Sequence, residues 1–382
     1  MTNETVHKVA LPTHHYSLVR DAAGRYLSVN AEGEQKRTRH VDDRAIWDQD
    51  GEVLRHVESG QTLDQAVVAD GETLTTVHGP EKLPGEYLAF FKEHGWVCLT
   101  SILAAETTEE LERISCTDRY EGRKYDSSIH PMHQSWAVTR TATEPVSLWL
   151  MREYMGTNEI RLGHPPSLAI LGKDDGKRDV QGWHSDFPYL WGFGSNRPYG
   201  RVPTSSGNTV MGIQRNVCIS PFTKEGGATA FKLGSHSKDQ GPPEDWGTGF
   251  HYAQPGYRAE HGLPYSGPDA DIVEAPGGSI ILYDSRTWHR AGVNQTKKRR
   301  SAMLQAMVPG YIMPFFDTTD TWRAFLNTDA YAELTELERE EMESLMVHYI
   351  NGPGGAHAIT VDEDLSKAIR SRLTGARRYY EG

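Results

Sequence analysis

The chain has 382 residues, of which 37% are apolar, and this is enough material to bury one large core and a smaller second one. Its formal net charge of −12 is spread along the chain, so the protein repels polyanions, and we expect neither nucleic acid nor a membrane surface as its partner. A small-molecule substrate fits this charge better. The three cysteines are widely spaced and form no C-x-x-C pair, which indicates reduced, buried thiols. Together with a start that lacks a secretory signal pattern, they favour a cytoplasmic location.

Short β-type runs separated by turns fill the chain from about residue 14 to residue 80. We therefore predict a small β-rich module over residues 1–80, whose role the sequence does not reveal. The stretch HGPEKLPGE at 78–86 has two prolines and two glycines and indicates a linker. After it, YLAFFKEHGWVCL predicts an amphipathic helix that stops at Gly95 and is followed by a strand, and a second helix is predicted to begin near Thr107.

From about residue 166 to 310 the pattern changes to apolar runs of strand length between turn residues. Many short strands with turn signals predict a β-sandwich or barrel, and we assign residues 81–315 to this domain. Residues 316–382 have the apolar spacing and the charges of helices, which predicts a helical extension packed against the sheet; a contact in a homodimer is the alternative. The predicted strands are SLAIL, VQGWHSD, TVMGIQRNVCI, GATAFKL, DIVEA, SIILYD, AGVN and SAMLQAMV.

A His-x-Asp motif lies in QGWHSDFPYLWGFG, where His184 and Asp186 are two residues apart. If this segment is a strand, the two side chains share a face and can bind one ion. The motif is weak by itself, because roughly one such pair is expected by chance in a chain with this many histidines. A second pair, His40 and Asp42, has no partner motif, and we interpret it as a solvated loop.

A distant histidine completes a ligand set with the first pair. His289 opens a predicted strand in APGGSIILYDSRTWHRAGVN, residues 275–294. With His184 and Asp186 it offers two nitrogens and one oxygen and leaves three coordination positions open. Non-haem Fe(II) uses this set to hold a chelating cosubstrate and dioxygen together. Zinc is the alternative ion, although its tetrahedral sites prefer other ligand mixtures.

A basic run follows the second histidine, and Arg300 lies eleven positions after His289 at the start of an apolar run. A guanidinium that reaches into a barrel can bind a carboxylate through two parallel hydrogen bonds. Arg300 is therefore the candidate for a carboxylate cosubstrate, and we interpret Lys297, Lys298 and Arg299 as a solvated turn.

Aromatic residues continue the motif after Asp186. Phe187, Tyr189, Trp191 and Phe193 alternate, and a polar stretch rich in glycine and proline follows. One interpretation is a substrate lid in which Arg197 or Arg201 meets an acidic group. The alternative is packing at the rim of the sheet with a surface loop beyond it.

These segments together resemble the phytanoyl-CoA dioxygenase family of Fe(II)- and 2-oxoglutarate-dependent oxygenases, over residues from about 86 to 310. The resemblance rests on five ordered pieces of sequence: FFKEHGWVCLTSIL, WHSD, EGGATAFKLGSH, GGSIILYDSRTWHRAGVN and the spacing to Arg300. It implies a mainly β fold with flanking helices, whose core is a double-stranded β-helix, the jelly roll of cupin-like proteins. It also implies dioxygen chemistry that converts 2-oxoglutarate to succinate and carbon dioxide while an organic metabolite is oxidised.

The resemblance assigns roles to individual residues. His184, Asp186 and His289 would bind iron, and Arg300 would bind the distal carboxylate of 2-oxoglutarate. Gln181 lies where family members contact the cosubstrate. Asn216 occupies the place of a frequent tryptophan, a departure that leaves its role open. An intact aspartate at 186 favours hydroxylation, or another outcome of hydrogen abstraction such as desaturation or epoxidation, because halogenating relatives have no carboxylate there.

Two other functions stay open at this stage. A metal-dependent cupin enzyme of another reaction type would not need Arg300. A binding protein with a silent barrel would recognise its ligand through the N-terminal module and would show no turnover. The sequence contains no code for the substrate.

Overall fold

The structure is a computed structural model of the chain. The residues that the structure describes are 4–64, 68–69, 72–120, 122–123, 125–193, 205–247, 256–263, 269–347, 349–352 and 355–358.

An antiparallel sheet forms most of the N-terminal region. Its strands follow the order β4-β3-β2-β5-β6-β7, and β10 pairs with the other edge of β2. Alternation packs Val19, Leu27, Val29, Trp47 and Leu54 into a small core of its own. The strands of this region are β1 (Glu4–Lys8), β2 (Ser17–Arg20), β3 (Tyr26–Val29), β4 (Gln35–Thr38), β5 (Trp47–Asp50), β6 (Val53–His56), β7 (Thr62–Asp64), β8 (Val68–Ala69), β9 (Glu72–Thr73) and β10 (Thr75–His78). Of these, β1 belongs to a sheet of the core, and β8 and β9 pair only with each other.

Two sheets form the jelly-roll core. A six-stranded antiparallel sheet has the order β11-β17-β14-β19-β12, with β13 also paired to β19, and a four-stranded sheet has the order β1-β16-β15-β18. Strand β1 joins this second sheet in parallel with β16, so the first strand of the chain pairs with the core and not with the N-terminal sheet. The remaining strands are β11 (Trp96–Leu99), β12 (Ile160–Leu162), β13 (Ser167–Leu171), β14 (Ile213–Cys218), β15 (Ala230–Lys232), β16 (Ala270–Glu274), β17 (Ser279–Asp284), β18 (Trp288–Arg290), β19 (Arg300–Pro309), β20 (Tyr349–Gly352) and β21 (Gly355–Ala358).

Helices cover the outer face of the six-stranded sheet. The helices before and after the strands of the core are α1 (Pro84–His94), α2 (Ala105–Ser115), α3 (Pro131–Gln134), α4 (Trp136–Ala142), α5 (Pro145–Met155), α7 (Thr319–Phe325), α8 (Asp329–Ala332) and α9 (Glu336–Met346). A short helix, α6 (Tyr257–His261), lies between β15 and β16 in the chain. Within the described ranges, none of these helices has both the length and the apolar character needed to cross a membrane.

Strand alternation divides the buried side chains of the six-stranded sheet between two cores. In β17, Ile280 and Leu282 belong to the cluster shared with the helices, whereas Ile281 and Tyr283 belong to the cluster between the two sheets. The same period of two applies to β19, where Met303 packs outward and Ala302 packs inward. Each inner face therefore presents every second residue to the space between the sheets.

The expected fold class is confirmed: the protein is mainly β, with a jelly-roll core, a β-rich N-terminal region and C-terminal helices. Helix α1 ends as predicted, because Gly95 adopts a left-handed conformation with φ of 72°. The three cysteines are buried free thiols, as expected.

Two predictions at the ends of elements differ from the structure. AGVN forms no strand. Within the described residues the last helix, α9, ends at Met346, and a hairpin of β20 and β21 follows where helix was predicted, because β-branched and glycine residues in VHYINGPGG disfavour a helix. The predicted helix over LSKAIRSRL lies outside the described residues.

Candidate metal centre

The two sheets position the His-x-Asp motif against His289. His289 is the central residue of β18, and its N–H and carbonyl exchange two backbone hydrogen bonds of 3.0 Å with those of His184. The prediction of a strand over VQGWHSD is wrong, because this reciprocal pair is an isolated bridge. The chain turns immediately after it, since Pro188 has no N–H with which to continue a ladder. The Asp186 N–H instead donates to the carbonyl of Ser285 at 3.0 Å.

The structure brings the side chains of His184, Asp186 and His289 together. The His184 Nε2 atom lies 3.4 Å from Asp186 Oδ1, and the His289 Nε2 atom lies 3.0 Å from Asp186 Oδ2. One ligand atom from each residue falls within 4.8 Å of the other two. The histidine side chains are 2% and 7% exposed, whereas Asp186 is 25% exposed, so the centre is open on the carboxylate side.

Backbone carbonyls orient both imidazole rings in the same way. His184 Nδ1 lies 2.7 Å from the Gly182 carbonyl, and His289 Nδ1 lies 2.9 Å from the Thr287 carbonyl. Because a carbonyl can only accept, Nδ1 of each neutral ring carries the hydrogen, and the lone pair is on Nε2. Both lone pairs therefore face the carboxylate of Asp186, as metal-binding histidines require.

The three side chains perturb one another strongly. Burial and the neighbouring His289 lower the pKa of His184. Burial alone would raise the pKa of Asp186, but the two imidazoles, His289 above all, hold it well below its usual range. Burial opposes the charge on His289, yet the Asp186 carboxylate raises its pKa. A carboxylate with a lowered pKa beside two imidazole nitrogens has the donor chemistry of a divalent transition-metal site.

Tyr283 also belongs to this centre, although it was not among the residues predicted from the sequence. Its hydroxyl donates to Asp186 Oδ2 at 3.2 Å. Strand alternation within SIILYD was the available signal, because Tyr283 lies on the same face as Ile281, toward the space between the sheets.

A buried ion pair lies in the turn that contacts Asp186 and His289, two of the three candidate ligand residues. Arg286 donates from Nε and Nη2 to the carboxylate of Asp284 at 3.0 and 2.8 Å, and Asp284 is fully buried. The carbonyls of this turn reach the centre: that of Ser285 accepts from the Asp186 N–H, and that of Thr287 contacts His289. No motif in the sequence indicates a role for this pair.

Arg300 and Asn216 both point from the six-stranded sheet into the space between the sheets. Arg300 lies two residues before the inward-facing Ala302, and Asn216 lies two residues before the inward-facing Cys218. The Arg300 guanidinium packs against Phe222, with 4.8 Å from its central carbon to the ring centroid, and Nη2 donates to the Gly227 carbonyl at 3.1 Å. Among the described residues, its buried Nε has no hydrogen-bond partner. Burial lowers the pKa of this guanidinium to about 10.

The structure also positions Gln181 and Asn216, the other residues predicted to contact the cosubstrate. The Gln181 carbonyl accepts from the Ala291 N–H at 3.0 Å, which fixes its backbone beside β18. Asn216 donates to Thr229 Oγ1 at 3.5 Å, a long contact. The second His-x-Asp pair forms no metal-ligand group among the described residues; Asp42 caps a short helical turn by accepting from the Arg44 N–H.

The aromatic run divides between core and site. Tyr189 and Trp191 are fully buried, which favours the packing interpretation for these two. The ring of Phe193 lies 5.2 Å from that of His184, so it borders the centre. Arg197 and Arg201, the cations of the lid interpretation, lie outside the described residues.

Comparison with known proteins gives a consistent family assignment. The family model for phytanoyl-CoA dioxygenase (PhyH) matches residues 91–302, more than half of the chain. Dioxygenase af480 of Aspergillus fumigatus is 22% identical over 282 residues, which are 69% of this chain and 77% of that protein. The uncharacterized protein Rv1501 of Mycobacterium tuberculosis is 32% identical over 85 residues, 22% of this chain and 24% of that protein.

Solved structures with a similar chain course were also found. HygX from Streptomyces hygroscopicus with iron bound has a TM-score of 0.43 and 19% identity, covering 60% of this chain and 88% of that one. The epimerase SnoN in complex with Fe3+, alpha ketoglutarate and nogalamycin RO has a TM-score of 0.40 and 17% identity, covering 59% of this chain and 84% of that one.

Proposed function

The chain belongs to the phytanoyl-CoA dioxygenase family, and from this membership we propose that it is an Fe(II)- and 2-oxoglutarate-dependent oxygenase that hydroxylates a small organic metabolite. His184, Asp186 and His289 would bind the iron. Residues 81–315 would form the catalytic domain, flanked by the N-terminal module 1–80 and the C-terminal extension 316–382.

The observation that carries the proposal is the convergence of three side chains that are far apart in sequence. His289 lies 105 positions after His184, yet its Nε2 atom is 3.0 Å from the carboxylate of Asp186. One ligand atom from each of the three side chains lies within 4.8 Å of the other two. A hydrogen bond at Nδ1 fixes each of the two imidazole rings. Two nitrogens and one oxygen in this arrangement leave room for other ligands, as the oxygenases of this class require.

Bound Fe(II) and 2-oxoglutarate would supply the oxidation of an unactivated carbon by dioxygen, with release of succinate and carbon dioxide. The chain's own residues provide orientation and a low-dielectric setting. Tyr283 donates to the Asp186 carboxylate and restricts the directions in which its oxygens can point. The nearly complete burial of both histidines keeps bulk water away from their Nε2 atoms.

Arg300 is the residue that we propose binds the distal carboxylate of 2-oxoglutarate. Its guanidinium faces the space between the sheets, and its Nε has hydrogen-bonding capacity that no described residue uses. A planar guanidinium in apolar surroundings can bind a carboxylate through two charge-assisted hydrogen bonds. We propose that Asn216, on the same inner face, and Gln181, beside β18, also contact the cosubstrate.

An anaerobic titration tests this proposal. We expect 2-oxoglutarate to produce a weak visible charge-transfer band with the Fe(II)-loaded protein. Arg300→Ala should weaken 2-oxoglutarate binding about a hundred-fold, the loss of two charge-assisted hydrogen bonds, and leave metal uptake nearly unchanged. Arg299→Ala is the matched control, because the neighbouring Arg299 side chain lies 3.5 Å from Asp118 and not between the sheets.

The outcomes separate the alternatives. A metal-dependent cupin of another reaction type would bind Fe(II) without the charge-transfer band. An equal 2-oxoglutarate affinity in wild type and Arg300→Ala would remove Arg300 from the site. Metabolite profiling with the purified enzyme, scored for gains of one oxygen that require 2-oxoglutarate, tests hydroxylation and identifies the substrate. If no metabolite gains an oxygen in this way, the proposed hydroxylase activity is wrong.

A further inference from the structure

Each of the two candidate histidine ligands follows a tryptophan in the sequence: Trp183 precedes His184, and Trp288 precedes His289. Neighbouring side chains of an extended chain point to opposite sides, so the two indole rings lie on the side away from the imidazoles. Arg290, which alternates with His289 in β18, lies over the Trp183 ring at 5.4 Å, in agreement with this placement. Both indole rings are 1% exposed and belong to one apolar cluster.

A third tryptophan, Trp246, contacts both of these rings. It ends a short helical turn, Glu244–Trp246, in the chain between β15 and α6. The centroid of its ring lies 5.7 Å from that of Trp183, with an interplanar angle of 64°, and 5.4 Å from that of Trp288, with an angle of 82°. Both pairs are edge-to-face, which is a favourable arrangement for aromatic rings. One side chain therefore connects the two residues that precede the histidine ligands.

Hydrogen bonds attach the clasp segment, residues 240–247, which carries this third ring, at both of its ends. At one end, Trp288 Nε1 donates to the Gln240 carbonyl at 2.7 Å. At the other end, the Trp183 N–H donates to the Gly247 carbonyl at 3.0 Å. Two consecutive prolines inside the clasp segment restrict its backbone. The clasp segment is thus attached once to each of the two stretches of chain that carry a histidine ligand.

The direct backbone contact between the two histidines is small. His184 and His289 exchange two hydrogen bonds as an isolated bridge and not as part of a continuous strand ladder. A contact of this size can open locally while the rest of the fold stays intact. Because opening would separate the two Nε2 atoms, the spacing of the ligands depends on whatever else holds the bridge closed. The clasp segment contacts the same junction from the side opposite the imidazoles.

We propose that Trp246 is a positioning residue of the candidate metal centre. Acting through Trp183 and Trp288, its ring holds His184 and His289 at the spacing that a single ion requires. An ion that meets two ligands already at this spacing binds more tightly, because less of the chain must be ordered on binding. The inference rests on the proposed function for the role of the histidines as ligands, but their spacing is a property of the metal-free chain.

Hydrogen exchange of the metal-free, full-length protein tests whether the ring keeps the bridge closed. Trp246→Ala removes both edge-to-face contacts, so we expect the amides of His184 and His289 to exchange about ten-fold faster or more. This increase should exceed that of the amides in β14, which report the stability of the whole fold. Trp246→Phe keeps a ring and should restore most of the protection. Trp136→Ala is the matched control, because Trp136 is also a half-buried tryptophan but packs against the core shared with the helices.

Spectrophotometric titration with Co(II), without 2-oxoglutarate, tests whether the spacing matters for metal binding. We expect the Co(II) affinity to fall about ten-fold in Trp246→Ala, to recover in Trp246→Phe and to stay near the wild-type value in Trp136→Ala. Equal exchange rates at His184 and His289 in the two alanine variants, or an unchanged Co(II) affinity in Trp246→Ala, would overturn the proposal.

The two arms also separate this inference from the proposed function. If the wild-type protein binds Co(II) and the variants behave as expected, but Fe(II) and 2-oxoglutarate give no charge-transfer band, the oxygenase proposal fails and the role of Trp246 stands. A wild-type protein that binds no Co(II) would overturn both.

Discussion

The buried ion pair between Asp284 and Arg286, beside the candidate metal centre, is expected to contribute to the free energy of unfolding. The Asp284 carboxylate accepts from the Arg286 backbone N–H at 2.8 Å, from its Nε and Nη2, and from the Tyr154 hydroxyl at 3.1 Å. Asp284→Asn keeps the shape but removes the charge, which leaves the guanidinium of Arg286 without a counter-ion in a place that is 8% exposed. Breaking a buried pair from one side costs about 3–5 kcal/mol. Because the amide oxygen of asparagine and the Gly207 carbonyl still accept hydrogen bonds, we expect a loss of about 3 kcal/mol in the free energy of unfolding.

Urea denaturation of the full-length protein measures this loss, provided that the transition has the same slope in wild type and variant. Asp320→Asn is the control, because Asp320 and Arg323 form an ion pair of nearly the same length, 2.7 Å, with side chains that are 82% and 55% exposed. A surface pair of this kind contributes less than about 1 kcal/mol. Equal losses in the two variants would refute the reasoning, since burial is the difference on which it depends.

Two further predictions concern Asp186 and Glu341. Tyr283→Phe removes the hydroxyl that donates to Asp186, and we expect Co(II) affinity to fall about ten-fold with little change in stability. Spectrophotometric titration with Co(II) measures this affinity, and an unchanged affinity would contradict the prediction. Burial raises the pKa of Glu341, but Arg152 and Arg39 bind it and bring the net value below the ordinary 4.5. Its contribution to stability is therefore complete above pH 4.5 and is lost as the pH falls through the lower pKa of the folded state. Urea denaturation at pH 7 and at pH 4 should show a smaller pH-dependent loss in Arg39→Gln than in wild type, and an equal loss would count against this coupling.

The sequence predicted the type of fold better than the details of the site. Alternation and turn residues located most of the core strands, because those signals are local. The strand over VQGWHSD failed for a tertiary reason: His184 finds one partner residue in β18, and Pro188 then turns the chain away. The prediction that helix continues directly after Met346 is wrong for a similar reason. Apolar spacing alone does not show where a hairpin replaces the next helical turn.

Residues that support the metal ligands through backbone contacts could not be identified from the sequence either. Nothing in YDSR distinguishes a buried Asp284–Arg286 pair from two solvated charges, since burial depends on α5 and on the loop at Gly207, which are far away in the chain. Tyr283 was in reach, because its position in β17 has the parity of Ile281 and so faces the space between the sheets.

The two histidines of the centre share a local feature that bears on how the site forms. In each case Nδ1 meets the carbonyl two residues earlier in the chain, that of Gly182 for His184 and that of Thr287 for His289. A contact within its own segment therefore orients each imidazole ring. The reciprocal backbone pair between His184 and His289 sets the distance between the two rings. Because neither contact involves a metal ligand atom, the Nε2 atoms should keep these positions in the metal-free protein. A divalent ion would then find two of its ligands already in place, and the entropy of ordering them would be lost during folding and not during binding.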